Sequence, residues 1–280
     1  LPRTRRSIYS PLLAVIAAIG TIAVHAIPVS QSAAATATGA EKHRSSIVAE
    51  CAAVLAKGRL RAQQRAFATL GAQPGSDADQ VLIEQFKRYN AGKLSPALWL
   101  DLLEAVAKRD NADLKSRLAE HERNAAASQD PLRPYRECLE GGDADAGREI
   151  FTKKPEAGCI RCHRAGGEGG QIGPDLTTLH QTTERIFILE SIVEPNAVIA
   201  PGFQNVLLTL KNGETVTGIL SFETEDEVVI TSVVDGKKRK IPAAEIKERT
   251  PLPSAMPPGF GIVLGKRAIR DLVQFLATME

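Results

Sequence analysis

The sequence predicts a mainly α-helical protein: a helical N-terminal segment, then a second helical domain carrying a small β-barrel-like insertion. Three observations predict it. Apolar residues recur at helical spacing from about residue 45 to 127. The pattern shifts to short alternating strands with tight turns over 203–249. A helical stripe returns in the last residues, where Ile269, Leu272, Val273 and Leu276 fall at i, i+3, i+4 and i+7.

The chain has 280 residues, room for one large or two ordinary domains, and a formal net charge of +2. So balanced a charge points neither to nucleic acid nor to a steering field. At the start, Arg3, Arg5 and Arg6 precede an apolar run from Pro11 to Val29 interrupted by His25, and a small, polar tract follows over Ser30–Ala40. That order is the one a secretory signal has. An uncleaved membrane anchor and a buried helix are the alternatives, and residues 1–40 are set apart as signal or anchor plus low-complexity tract. The first residue is Leu, as expected of a chain lacking its true start.

The segment 45–127 reads as four or so helices in antiparallel pairs, HEAT-like, or as an independent small bundle. Ile47, Cys51, Val54 and Leu55 share one face, as do Leu98, Leu102 and Val106. The breaks are short, at Gly71–Gly75 and Gly92–Pro96. His43 and His121 read as exposed polar residues, and nothing here looks chemical.

Asp130–Cys138, with Pro131 and Pro134, reads as a linker into a domain over 134–280. Asp143 is a good N-cap for a helix from Ala144 to about Lys153, with Gly147 and Phe151 on one face. Then comes Cys159-Ile160-Arg161-Cys162-His163. C-x-x-C-H is an attachment signature for a covalent haem: two thiols become thioethers, and the next residue offers an imidazole to iron. The alternatives are a bare redox C-x-x-C or half of a zinc site. Zinc wants a second ligand pair, and Cys51 and Cys138 stand alone, either as buried thiols or as a disulfide. A redox motif wants a strand before it and a helix after, whereas Pro155 and Gly158 precede this one and a Gly-rich stretch follows.

Pro174, in Gly173-Pro174-Asp175-Leu176, stands where its carbonyl could accept the Nδ1–H of His163 and orient the ring; an ordinary turn is the alternative. Thr182 or Thr183 is expected to cap a helix bearing Ile186, Leu189 and Val193, stopped by Pro195. Strands follow at Phe203–Leu210, Thr215–Phe222, Val228–Val234 and Lys238–Ile241, joined at Asn212-Gly213 and Asp235-Gly236. Four or five such strands suggest an SH3- or Sm-like curled sheet. Lys237–Lys240 at a hairpin protects an edge more simply than it binds nucleic acid.

Met256 lies in the Pro-rich loop Pro253–Gly259 just before the last helix, 266–278. It is the expected sixth iron ligand, against a gap-filling Met, with His180 as rival; Met279 at the chain end is no candidate. The last helix is expected to cross the first helix of this domain, Gly147 and Phe151 meeting Leu272, Phe275 and Leu276.

Helix, haem motif, loop, helix is how a class I cytochrome c begins. Residues from about Pro134 to Glu280 resemble the haem-binding domain of Pirellula/Verrucomicrobium type. The blocks that carry the resemblance are Gly141–Ala144, Cys159–His163, Gly173–Leu176, Ile199–Phe203, Ser254–Pro257 and Arg270–Val273. It implies an extracytoplasmic, periplasmic monohaem c-type cytochrome with one covalent haem c, ligated by His163 and Met256, that transfers single electrons. It implies an electron carrier more than a catalyst, with a redox partner protein such as a dehydrogenase. No nucleic acid is expected, and membrane contact only through an uncleaved N-terminal segment. The rival expectations are a haem enzyme or gas sensor with a displaceable sixth ligand, and a structural interaction module.

Overall fold

A computed structural model describes residues 30–279, with side-chain environments from residue 39 onward. The apolar run Pro11–Val29 expected as signal or anchor lies outside the described residues. Ser30–Ala40, expected as a small, polar tract, opens a helix, α1 (Ser30–Lys57). Among the described residues no helix is long and apolar enough to cross a membrane.

The compact unit from His43 onward holds everything discussed below. After α1 come α2 (Leu60–Ala72), α3 (Ser76–Asn90), α4 (Trp99–Ala107) and α5 (Ala112–Ala126). The Oδ1 of Asn111 caps α5 by accepting from the N–H groups of Asp113 and Leu114. Phe67, Leu70, Leu82, Phe86, Leu102 and Leu114 form the shared core, and each such side chain contributes about 1.5–3 kcal/mol by leaving water. The helices form one packed cluster; a HEAT-type repeat is not shown. Cys51 and Cys138 are both free and buried, not joined in a disulfide.

Two sequence expectations are corrected here. His121 is not exposed: it is buried, with Nδ1 3.2 Å from the Tyr89 hydroxyl. Asp130–Cys138 is not a slack linker. Residues Arg133–Cys138 form a 3-10 helix in which Glu137 and Cys138 are buried, and the Cys138 thiol donates to the Lys266 carbonyl at 3.3 Å.

The haem-motif half begins with α6 (Ala144–Lys153), capped as expected by Asp143. It continues through α7 (Cys159–Cys162), the two-residue strands β1 (Arg164–Ala165) and β2 (Glu168–Gly169), α8 (Leu179–Thr182) and α9 (Arg185–Val193). Glu184, not Thr182 or Thr183, stands at the N-cap of α9, with no side-chain cap bond. Next are β3 (Asn205–Leu210), β4 (Thr215–Glu223), β5 (Glu227–Thr231), β6 (Lys238–Pro242) and β7 (Ile246–Pro251), then α10 (Phe260–Thr278).

The expected crossing is present. A Cβ at Gly147 would overlap the Asp271 carbonyl and the Phe275 Cβ, and the Phe151 and Phe275 rings lie 5.7 Å apart. Helix α10 starts earlier than expected and breaks at Gly265, where φ is 74°. Met279 is buried in this core.

The β insertion is a sheet, not a closed barrel. Its five strands run β6-β5-β4-β3-β7, all neighbours antiparallel, and β6 and β7 do not meet. Each edge is blunted by charge and proline, Lys238–Pro242 on one side and Lys247–Pro251 on the other. The basic hairpin is internally compensated: Lys237 pairs with Asp235, Arg239 with Glu214 and Lys240 with Glu227.

Candidate functional site

The site grows from a single helical turn. Gly158, at φ 57°, turns the chain into α7, and the three-residue spacing sets the Cys159 and Cys162 side chains along the same side of that turn. His163 leaves the turn extended, its N–H bonded to the Cys159 carbonyl at 2.9 Å. Both sulfurs are part-buried and unlinked, and burial pushes the Cys159 thiol up to about 11.

The Gly-rich loop then folds back over the motif. N–H groups of Gly170, Gly173 and Leu176 donate to the carbonyls of Ile160, Cys162 and Arg164, each at 2.8 Å. Glycine is required where the loop touches. A Cβ at Gly173 would stand 2.7 Å from the His163 Cε1 and 2.9 Å from its Nδ1, and at Gly170 it would strike the Arg161 carbonyl. The backbone of Gly173 is therefore the cover of the imidazole.

The His163 Nδ1 lies 3.0 Å from the Pro174 carbonyl oxygen. A carbonyl only accepts, so Nδ1 carries the proton and Nε2 keeps its lone pair. Burial holds the ring below its ordinary pKa, opposed by the bond to Pro174, which favours the neutral ring as a metal ligand. The arrangement fits a covalently held haem in three ways: two open thiols on one turn, a neutral imidazole with a free, oriented nitrogen, and apolar Ile160, Leu176 and Leu179 beside them. The Arg164 Nε is buried without a hydrogen-bond partner among the described residues, and it lines a cleft of about 230 Å³ with Gly173, Asp175 and Phe203. A macrocycle bearing carboxylates would supply the acceptor this donor lacks.

Cys159, Cys162, His163 and Pro174 are thus brought into one cluster. Met256 stands on another segment, half-buried in the loop between β7 and α10. That loop ends at Phe260, which packs on the same core as Ile160, Leu176 and Leu179. The rival, His180, sits part-buried on α8, with its Nδ1 lacking a partner among the described residues. Reading the sequence alone passed over Gly173 as a ring cover. Its signal was the glycine before Pro174, where any side chain would push the ring off the carbonyl.

A turn of paired thiols, an imidazole set by a carbonyl and a glycine cover are the features a c-type haem-binding domain needs. Consistent with this, the family model described as Cytochrome c matches residues 144–228, which supports a cytochrome c-like haem-binding domain and, with it, haem c binding. The match takes in the motif, its loop, α9 and the first strands, and stops before Met256 and α10. No curated protein matches the chain.

Proposed function

We propose that the chain is an extracytoplasmic, periplasmic monohaem cytochrome of the Pirellula/Verrucomicrobium haem-binding type, with a helical part at 45–127, a haem domain at 134–280 and the sheet inserted at 203–249. The observation that carries the reading is the 3.0 Å bond from His163 to the Pro174 carbonyl, directly after two thiols on one turn. Cys159 and Cys162 would tether the macrocycle, and His163 and Met256 would hold its iron. The haem supplies a reversible one-electron couple, and Met/His ligation raises its potential. The protein's share is to fix the imidazole, keep water from the ring and present the group to a redox partner of dehydrogenase type.

The optical spectrum of the holoprotein beside Met256→Ala tests the ligand set. The native ferric form is expected to be low-spin with the weak long-wavelength band of a sulfur–iron bond. Met256→Ala is expected to lose that band and turn high-spin, or recruit another ligand. A native spectrum that is high-spin and binds CO readily would replace the electron carrier with a haem enzyme or gas sensor. Loss of the low-spin form in His180→Ala would move the sixth ligand to His180.

A further inference from the structure

The loop that carries Met256 is poor in backbone donors of its own: Pro251, Pro253, Pro257 and Pro258 have no N–H. The hydrogen bonds it makes reach outside it or to its own serine. The Leu252 N–H donates to the Asn205 backbone carbonyl at 2.9 Å, and the Asn205 side-chain Nδ2 donates to the Pro253 carbonyl at 3.0 Å. The Ser254 N–H donates to the Asn196 Oδ1 at 2.8 Å, and the Met256 N–H to the Ser254 Oγ at 3.2 Å.

These links are far apart in sequence. Asn196 follows α9, Asn205 opens β3, and β7, paired with β3 through Val206 and Pro251, runs straight into the loop. The end of α9 and the foot of the sheet therefore converge on the residues just before Met256. Donor and acceptor roles are fixed on both asparagines. The Asn205 amide must face Pro253 with nitrogen, because the carbonyl there only accepts. Asn196 must face the Ser254 N–H with oxygen.

We propose that Asn196, Asn205 and Ser254 are positioning residues for the sixth iron ligand, and that the foot of the β insertion is the clamp that holds Met256 in reach. The inference rests on the reading of Met256 as ligand. A thioether is a weak ligand on a flexible side chain, so how fully it occupies the iron depends on how few alternatives its loop can visit. Loosening the clamp raises the population with Met256 off, and an added ligand then competes more easily.

The experiment uses holoprotein and added imidazole as the probe, with amide exchange at Ser254 and Met256 as a readout independent of iron. Loss of one such hydrogen bond is expected to tighten apparent imidazole binding about five- to tenfold in Asn196→Ala and in Asn205→Ala. The potential is expected to fall, and exchange at Ser254 to speed by a similar factor in Asn196→Ala. The conservative variants must split: Asn196→Asp keeps an acceptor and restores native behaviour, while Asn205→Asp loses the donor and behaves like Asn205→Ala. Asn196 is exposed, so its variants are expected to keep the native far-UV spectrum. If Met256→Ala changes the spectrum but the asparagine variants bind imidazole as the native protein does, or Asn205→Asp matches the native, the clamp is overturned alone. If Met256→Ala leaves the spectrum unchanged, the ligand reading falls and the inference with it.

Discussion

At the scale of residues, the decisive feature is how the His163 ring is held. Its Nδ1 is fixed by Pro174, and its face lies against the backbone of Gly173, where an added methyl would stand 2.7 Å from Cε1. Gly173→Ala is therefore expected to push the ring off the carbonyl and destabilise the holoprotein by about 1–3 kcal/mol in denaturant unfolding, with high-spin character appearing in the spectrum. Elsewhere, His121 gives a pH signature unconnected with iron. Burial is the main cause that lowers its pKa below 6.5; Glu137 and Glu122 oppose it, while Arg133 and Lys266 add to it. Because the unfolded chain takes the proton first as pH falls, the unfolded state binds more protons in this window. Stability is then fully present above pH 6.5 and lost as pH falls through the lowered value. His121→Gln, which cannot titrate, is expected to flatten unfolding midpoints between about pH 7.5 and 5 relative to the native chain; parallel curves would refute this. That Cys159, Cys162 and His163 come together on one turn was legible, because their sequence spacing sets it. His121 was not, because burial of a lone histidine depends on Tyr89 from another helix.

At the scale of elements, the crossing of α6 and α10 is the frame on which the motif rests. It was legible from a small residue and an aromatic one turn apart facing a regular apolar stripe, and it is built that way. In an exposed helix Gly→Ala gains about 1 kcal/mol. At Gly147 the sign reverses, since the new Cβ overlaps the Asp271 carbonyl and the Phe275 Cβ. Gly147→Ala is expected to cost a net 1–3 kcal/mol, roughly, in reversible denaturation. A neutral or stabilising result would mean that the helices can part without loss. The sheet was legible strand by strand but not in closure. Alternation and turns mark strands, whereas whether β6 meets β7 is decided by edges that carry charge and proline, and by β7 adding to β3.

At the scale of the whole molecule, the helical part and the motif-bearing part are joined by buried charge. Arg270, 1% exposed in its side chain, pairs with Asp101 at 2.7 Å, and Arg267 reaches both Asp101 and Glu104. The Arg61 side chain donates to the Gly142 carbonyl and that of Gln64 to the Gly141 carbonyl, just ahead of α6, while within the motif-bearing part Lys266 pairs with buried Glu137. Nothing in the sequence marks Asp101 as the partner of Arg270, since the two side chains meet only in the finished fold. Asp101→Asn leaves a buried guanidinium without its counter-charge and is expected to lower stability by about 3–5 kcal/mol. Thermal unfolding would register this as a lower midpoint; an unmoved one would mean the charges are not jointly buried.

The most direct measurement is the mass of the peptide spanning Cys159–His163 after expression with haem-attachment machinery and removal of loosely bound haem by acid–acetone. One haem is expected to be retained per chain on that peptide, bound through both Cys159 and Cys162. A peptide recovered at its unmodified mass, with two free thiols, would contradict it.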